Sequence, residues 1–154
     1  MCFFIKRYLL PNSEFPVVLQ EGNMDCGIAC LRSIGLYFGK DIPQNYLMNL
    51  CENSNNGISM YALSEVADKV GFQAHALKVD FQILENEISL PVIAYLTQKH
   101  YTVIHKIDSE YVYASDPSLG LGMYFRHQFL IEWIGKHASF QTKEGILLLL
   151  VPKI

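Results

Sequence analysis

The chain has 154 residues, 51% of them hydrophobic, and a formal net charge of −3. That length suits one domain, able to bury a core without metals or disulfide staples. Lysines and arginines are scattered, with Lys6-Arg7 and Lys99-His100 only short pairs, so no basic stripe tracks a phosphate backbone and nucleic acid is excluded as a partner.

The opening dozen residues, ending at Pro11 and Asn12, read as an extended lead-in. Met1 is followed by a short apolar run and then Lys6 and Arg7, without a cleavage-site pattern, so no signal peptide is expected. Segment 17–20 reads as a short strand or an approach to the first helix. Asp25 is placed to cap a helix over 26–38, whose apolar positions Ile28, Leu31, Ile34 and Phe38 keep helical spacing and which Gly39 stops. Pro43 opens a second helix through 50, and 52–57 reads as a polar, Asn-rich loop. Ser59 caps a third helix with Leu63, Val66, Ala67 and Val70 on its apolar face and Gly71 at its end.

The pattern then changes. Segments 74–79, 91–96, 101–107, 111–114, 123–126 and 146–151 read as strands, with short helices over 81–87 and 127–134 and a hairpin turn at 108–110. Helices first and a mostly antiparallel sheet after them make an α+β layout. The longest apolar run, 146–151, has six residues, whereas a helix needs about 20 to span a bilayer. A soluble, reducing setting follows, in which the cysteines at 2, 26, 30 and 51 stay free thiols.

Cys26 stands where the first helix starts. A helix N-terminus or a neighbouring histidine lowers a thiol pKa, and the thiolate is the form that attacks. Gly27 beside it leaves room for a substrate backbone. The same local sequence also suits a small buried hydrophobe, the ordinary role of a helical cysteine, and Cys30, one turn on, reads as core. A nucleophilic thiol needs a base, an orienting group and an oxyanion donor. His100, at the mouth of the 101–107 strand, can be the base; Asp116, ahead of Pro117, can hold its imidazole; Gln20, six residues before Cys26, can donate an amide N–H to an oxyanion. His75, His105, His127 and His137 are rivals, although His105, five residues on from His100, faces the other side of an even strand. Neither metal nor cofactor is expected, because the histidines lack HExxH spacing and the cysteines lack a zinc pattern.

Taken together, Gln20 … Asp25-Cys26-Gly27 … Cys30-Leu31, Gly57-Ile58-Ser59, Leu63 … Ala67, Gly71-Phe72-Gln73-Ala74, His100-Tyr101-Thr102-Val103-Ile104 and Asp116-Pro117-Ser118-Leu119-Gly120 resemble the C39 peptidase family over about 17–151. The resemblance implies a papain-like fold and a single peptidase domain over 1–154. It makes Cys26 the nucleophile, His100 the base, Asp116 its orienting group and Gln20 part of the oxyanion hole. It further implies cleavage after a double-glycine-type motif in the leader of an exported bacteriocin-like or signalling peptide, the leader docking as an amphipathic helix. Family members of this kind are N-terminal domains of ABC exporters, so the membrane helices and ATPase of an exporter are implied partners, at the cytoplasmic face of the bacterial inner membrane. The chain is either excised from such an exporter or stands alone. One departure is Tyr101, where the family usually has Phe; a mild effect is expected. Three rival classes are a non-hydrolytic leader-binding docking domain, a papain-like deamidase or acyltransferase, and a plain α+β domain with buried cysteines.

Overall fold

In the computed structural model, which describes residues 5–6, 15–22, 25–51, 57–136 and 143–154, the first helix, α1, runs Cys26–Tyr37. Nine of its 12 residues are buried, and a helix apolar nearly all round belongs inside a core. Phe38 does not extend that face: it is the C-cap, 38% exposed, because Gly39 turns the chain away at φ +80°. Helix α2 (Gln44–Leu50) has Pro43 at its N-cap, and α3 (Met60–Lys69) is capped by Ser59 Oγ, which accepts the Ala62 N–H at 3.1 Å. The Asn-rich loop 52–56, most of the lead-in, Cys2 and His137 lie outside the described residues.

The remaining elements are β1 (Ile5–Lys6), β2 (Phe72–Asp80), α4 (Phe81–Glu87), β3 (Val92–Tyr95), β4 (Tyr101–Ile107), β5 (Tyr111–Asp116), β6 (Gly120–Phe125), α5 (Arg126–Trp133) and β7 (Glu144–Pro152). The strands form one sheet in the order β1-β6-β5-β4-β3-β7-β2, with every described pairing antiparallel. Strands β2 and β7 outrun their apolar signals, because they pair without a break from Phe72↔Pro152 to Asp80↔Glu144 and the ladder carries their polar ends along. Segment 17–20 is not a strand.

Helices cover both faces of the sheet. On one face α1, α2 and α3 pack with Ile93, Tyr101, Val103, Leu148 and Leu150; on the other, Phe81 and Leu84 of α4 and Phe129, Leu130 and Trp133 of α5 pack with Val92, Ala94, Ile104, Val112 and Leu147. Neighbouring residues of one strand thus enter opposite cores, which is why the central strands read as unbroken apolar runs. Trp133 lies flat on Gly145, where any Cβ would overlap its indole, and its Nε1 donates to the Ile146 carbonyl at 2.9 Å. That stacking fastens α5 to β7, where Ile146 pairs with Tyr95, the last residue of β3 before the turn into β4.

Candidate active site

Cys26 is the first residue of α1 and is 8% exposed. Asp25 does not cap the helix with its side chain. Its carboxylate turns back instead, accepting the N–H groups of Glu21 and Gly22, both at 2.9 Å, and Gln44 Nε2 at 3.1 Å. The carboxylate thereby ties the segment that carries Gln20 to the start of α2. Gly27 also differs from its expected role. A Cβ there would lie 2.7 Å from Ile58 Cγ2 and 3.2 Å from Tyr101 Cδ2, so glycine is needed for α1 to seat against the core.

His100 lies in the turn ahead of β4, where its backbone carbonyl accepts the Leu96 N–H at 2.8 Å. Its Nε2 is 3.1 Å from both carboxylate oxygens of Asp116, the last residue of β5. Asp116 is 1% exposed on its side chain and His100 22%. With Nε2 engaged, Nδ1 is the nitrogen left for the Cys26 thiol, to which the ring is hydrogen-bonded. Asp116 Oδ1 also accepts the Ser118 N–H at 2.8 Å, the Ser118 hydroxyl at 2.7 Å and the Leu119 N–H at 3.1 Å. The turn after Asp116 locks its carboxylate in place as an Asx-turn does.

The electrostatics follow from these contacts. Burial pushes the Cys26 thiol up, but hydrogen bonds from His100, the Tyr101 N–H and the Gly27 N–H, together with the His100 charge, outweigh it and bring the pKa below that of an ordinary thiol. Burial pulls His100 down, yet its hydrogen bonds and charge pairing with Asp116 and Cys26 raise it to about 9. Asp116 would be raised by burial; its bonds to His100 and Ser118 hold it below the usual carboxylate range instead. A thiol pushed down beside an imidazole pushed up is a pair poised as thiolate and imidazolium.

Gln20 is joined to the same turn, its backbone N–H donating to the Pro117 carbonyl at 2.8 Å. Its side-chain Nε2 donates to the Gly22 carbonyl at 2.8 Å, and its Oε1 is buried with no partner among the described residues. Thus the structure links Cys26, His100 and Asp116 in one hydrogen-bonded chain and holds Gln20 beside it rather than in it.

The rival histidines stand elsewhere. His75 and His127 are exposed on β2 and α5. His105 stacks on Phe15 at 4.5 Å, and Phe15 in turn stacks on Tyr37 at the far end of α1 from Cys26. Strand parity does not separate His105 from His100, since His100 precedes the strand and β4 shifts register between Ile104 and Lys106. Cys30 is buried at 1%, and burial pushes its thiol well up, as does the nearby Cys26. Cys51 is partly buried and donates to the Leu47 carbonyl. Ser118 and the main-chain N–H of Tyr101 were not legible as site groups, because each matters through a bond made only in the folded chain. Among the described residues no cluster of His, Cys, Asp and Glu is arranged to hold a metal ion.

A helix-borne cysteine, a histidine from the sheet and a carboxylate behind it, on an antiparallel sheet with the helices packed against it, define a papain-like cysteine peptidase architecture. Residues 14–145 match the Peptidase C39 family, and the chain belongs to it. It is 30% identical over 124 residues to the lactococcin-G-processing and transport ATP-binding protein LagD of Lactococcus lactis subsp. lactis, a match covering 77% of this chain and 18% of that protein. It is 28% identical over 123 residues to the transport/processing ATP-binding protein ComA of Streptococcus pneumoniae, covering 75% and 17%. The chain therefore spans less than a fifth of the length of either of these two relatives. Its fold is that of a double glycine motif protease from an AMS/PCAT transporter, solved in complex with the leader peptide, with a TM-score of 0.80 at 22% identity over 97% of this chain and 98% of that one. The peptidase domain of Streptococcus ComA superposes with a TM-score of 0.77 at 23% identity, over 90% and 99%.

Proposed function

We propose that the chain is a cysteine endopeptidase domain that removes leader peptides after a double-glycine-type motif from exported bacteriocin-like or signalling peptides. The observation that carries this reading is the hydrogen-bonded chain Cys26–His100–Asp116, with the thiol pKa lowered and the imidazole raised to about 9. The domain occupies the whole chain, with its core over about 17–151.

The Cys26 thiolate attacks the carbonyl carbon of the second glycine. The oxyanion is met by the Cys26 backbone N–H, which has no intrahelical acceptor at the first helical position, and by the second N–H of the Gln20 amide, the first being on Gly22. The His100 imidazolium passes its proton to the leaving nitrogen, the C–N bond breaks, and a thioester remains. Water then attacks the thioester, His100 takes its proton, and the leader carboxylate leaves with the thiolate restored. Asp116 holds Nε2 throughout, so that Nδ1 faces the sulfur.

The leader docks as an amphipathic helix. Exposed Val17 and Leu19, at 39% and 57%, support an apolar landing beside the site. They project from a segment whose alternate backbone groups are pinned: Ser115 Oγ donates to the Pro16 carbonyl, the Val18 N–H to Ser33 Oγ, and the Gln20 N–H to the Pro117 carbonyl. By likeness to ATP-binding processing proteins such as LagD and ComA, the domain serves the membrane and ATPase parts of an exporter at the cytoplasmic face of the bacterial membrane. Among the described residues no helix is long and apolar enough to cross a membrane.

The test is incubation of wild type and Cys26→Ala with a synthetic double-glycine leader peptide, with mass spectrometry of the products. Wild type yields two fragments split after the second glycine, and Cys26→Ala yields none. Binding without cleavage by wild type would replace the reading with a docking domain. A mass change of one unit at a side-chain amide, with the chain uncut, would replace it with a deamidase.

A further inference from the structure

The turn that presents His100 is fastened to α5 by three hydrogen bonds that the reaction itself does not use. Thr97 donates to the Glu132 carbonyl twice, from its backbone N–H and from its hydroxyl, both at 2.9 Å. Gln98 Nε2 donates to the Glu132 carboxylate at 2.8 Å. The turn closes on itself through Leu96 N–H to the His100 carbonyl and Lys99 N–H to the Leu96 carbonyl, and Lys99 sits at φ +59°. A residue with a side chain in that left-handed region is strained, so the turn needs support from outside.

Glu132 is itself in an unfavourable place. It is 5% exposed, it lies in the last turn of α5 where the helix dipole repels an anion, and burial pushes its carboxyl pKa up. A leucine would fill such a position at lower local cost. Gln98, which bonds the buried Glu132, is followed directly by the left-handed Lys99 and then by the base, so two unfavourable features border one short turn. Local strain of that kind persists where the surrounding structure requires the geometry it holds.

We infer that Glu132, acting through Gln98, is a positioning residue for the reaction: it holds the 96–100 turn so that the His100 ring stays between the Cys26 sulfur and the Asp116 carboxylate. This rests on the reading of His100 as the base. The charged and titratable groups facing the ring are Cys26 from α1 and Asp116 from β5, with Tyr101 of β4 and Cys30 of α1 behind the sulfur. Glu132 touches none of them and acts only through the turn.

The test uses a readout that needs no peptide substrate. The rate of Cys26 alkylation by iodoacetamide is measured against pH by mass spectrometry of the Cys26 peptide, in wild type, Gln98→Ala, Glu132→Ala and Glu132→Gln. Loss of the side-chain bond is expected to lower the rate at pH 7 about five-fold, the factor for one net hydrogen bond. The profile should also move up toward that of an ordinary thiol. Leader cleavage falls in parallel through kcat with KM unchanged. Glu132→Gln, which keeps an oxygen for Gln98 Nε2, recovers most of the wild-type profile. A folded Gln98→Ala whose profile overlays wild type overturns the inference, as does a Glu132→Gln as impaired as Glu132→Ala. If Glu132→Ala fails to fold, Gln98→Ala decides alone, since Gln98 is exposed on the turn. Should wild type fail to cut any leader while these alkylation profiles shift as stated, the peptidase reading falls and the positioning role stands.

Discussion

Replacing Asp116 with asparagine tests whether the carboxylate orients His100. Three donors converge on Asp116 Oδ1, namely the Ser118 N–H, the Ser118 hydroxyl and the Leu119 N–H. They require an oxygen at that position, so an asparagine side chain there keeps its carbonyl toward Ser118 and points its NH₂ at His100 Nε2. That nitrogen must then accept rather than donate, which puts the ring proton on Nδ1, the nitrogen facing the thiol. The imidazolium also loses its anionic partner. A hydrogen bond to a charged group contributes about 1.5–3 kcal/mol, so kcat/KM is expected to fall roughly 10- to 150-fold. The Cys26 alkylation profile should rise in pH at the same time. The fold should survive, because the oxygen that Ser118 and Leu119 need is still present, and urea unfolding should report little change. Kinetics on a leader peptide, alkylation against pH and the unfolding curve together separate a lost orienting group from a lost fold. Turnover in Asp116→Asn within two-fold of wild type would refute the reasoning.

Other consequences are equally direct. The pH profile of kcat/KM is bell-shaped: activity is lost on the acid side as the lowered Cys26 thiolate takes up a proton, and on the alkaline side as His100 gives up its own near pH 9. A profile still rising above pH 10 would contradict the pairing. Gly27→Ala places a Cβ 2.7 Å from Ile58 Cγ2, and overpacking of this kind costs about 1–3 kcal/mol in unfolding free energy; unchanged stability with weakened leader binding would restore the substrate-clearance role expected of this glycine. Tyr101→Phe removes the hydroxyl that donates to the Ile58 carbonyl at 2.9 Å and should lower unfolding free energy by about 1 kcal/mol, with kcat/KM little altered because the Tyr101 N–H at the sulfur is untouched. A drop in kcat/KM beyond ten-fold would give the hydroxyl a part in the reaction.

Much of this protein is readable along the chain. The helices at α1, α2, α3 and α4 and the strand β4 begin or end within a residue or two of their sequence signals, because Pro43, Ser59, Gly39 and Gly71 act on the backbone locally. The alternation of β3, β4 and β7 is hidden for the opposite reason: both faces are covered, so both sets of side chains are apolar. Asp25 does stand at the N-cap of α1, but its carboxylate serves other partners, Glu21, Gly22 and Gln44, which lie on both sides of it in sequence, the farthest 19 residues away. Strand parity does not place His105, because β4 shifts register there; its stacking on Phe15 does.

The order of elements and the α+β class are written along the chain, since caps, glycines and apolar periods are local, and it is the resemblance to the C39 motifs that singles out Gln20, Cys26, His100 and Asp116. Which histidine meets Cys26, what Asp25 holds and what fastens the turn carrying His100 become visible in the folded chain. The bonds of Gln44 to Asp25, of Gln98 to Glu132 and of His100 to Cys26 join residues 19, 34 and 74 apart, and they exist only once the sheet and its two helical layers have brought those segments within about 3 Å of each other.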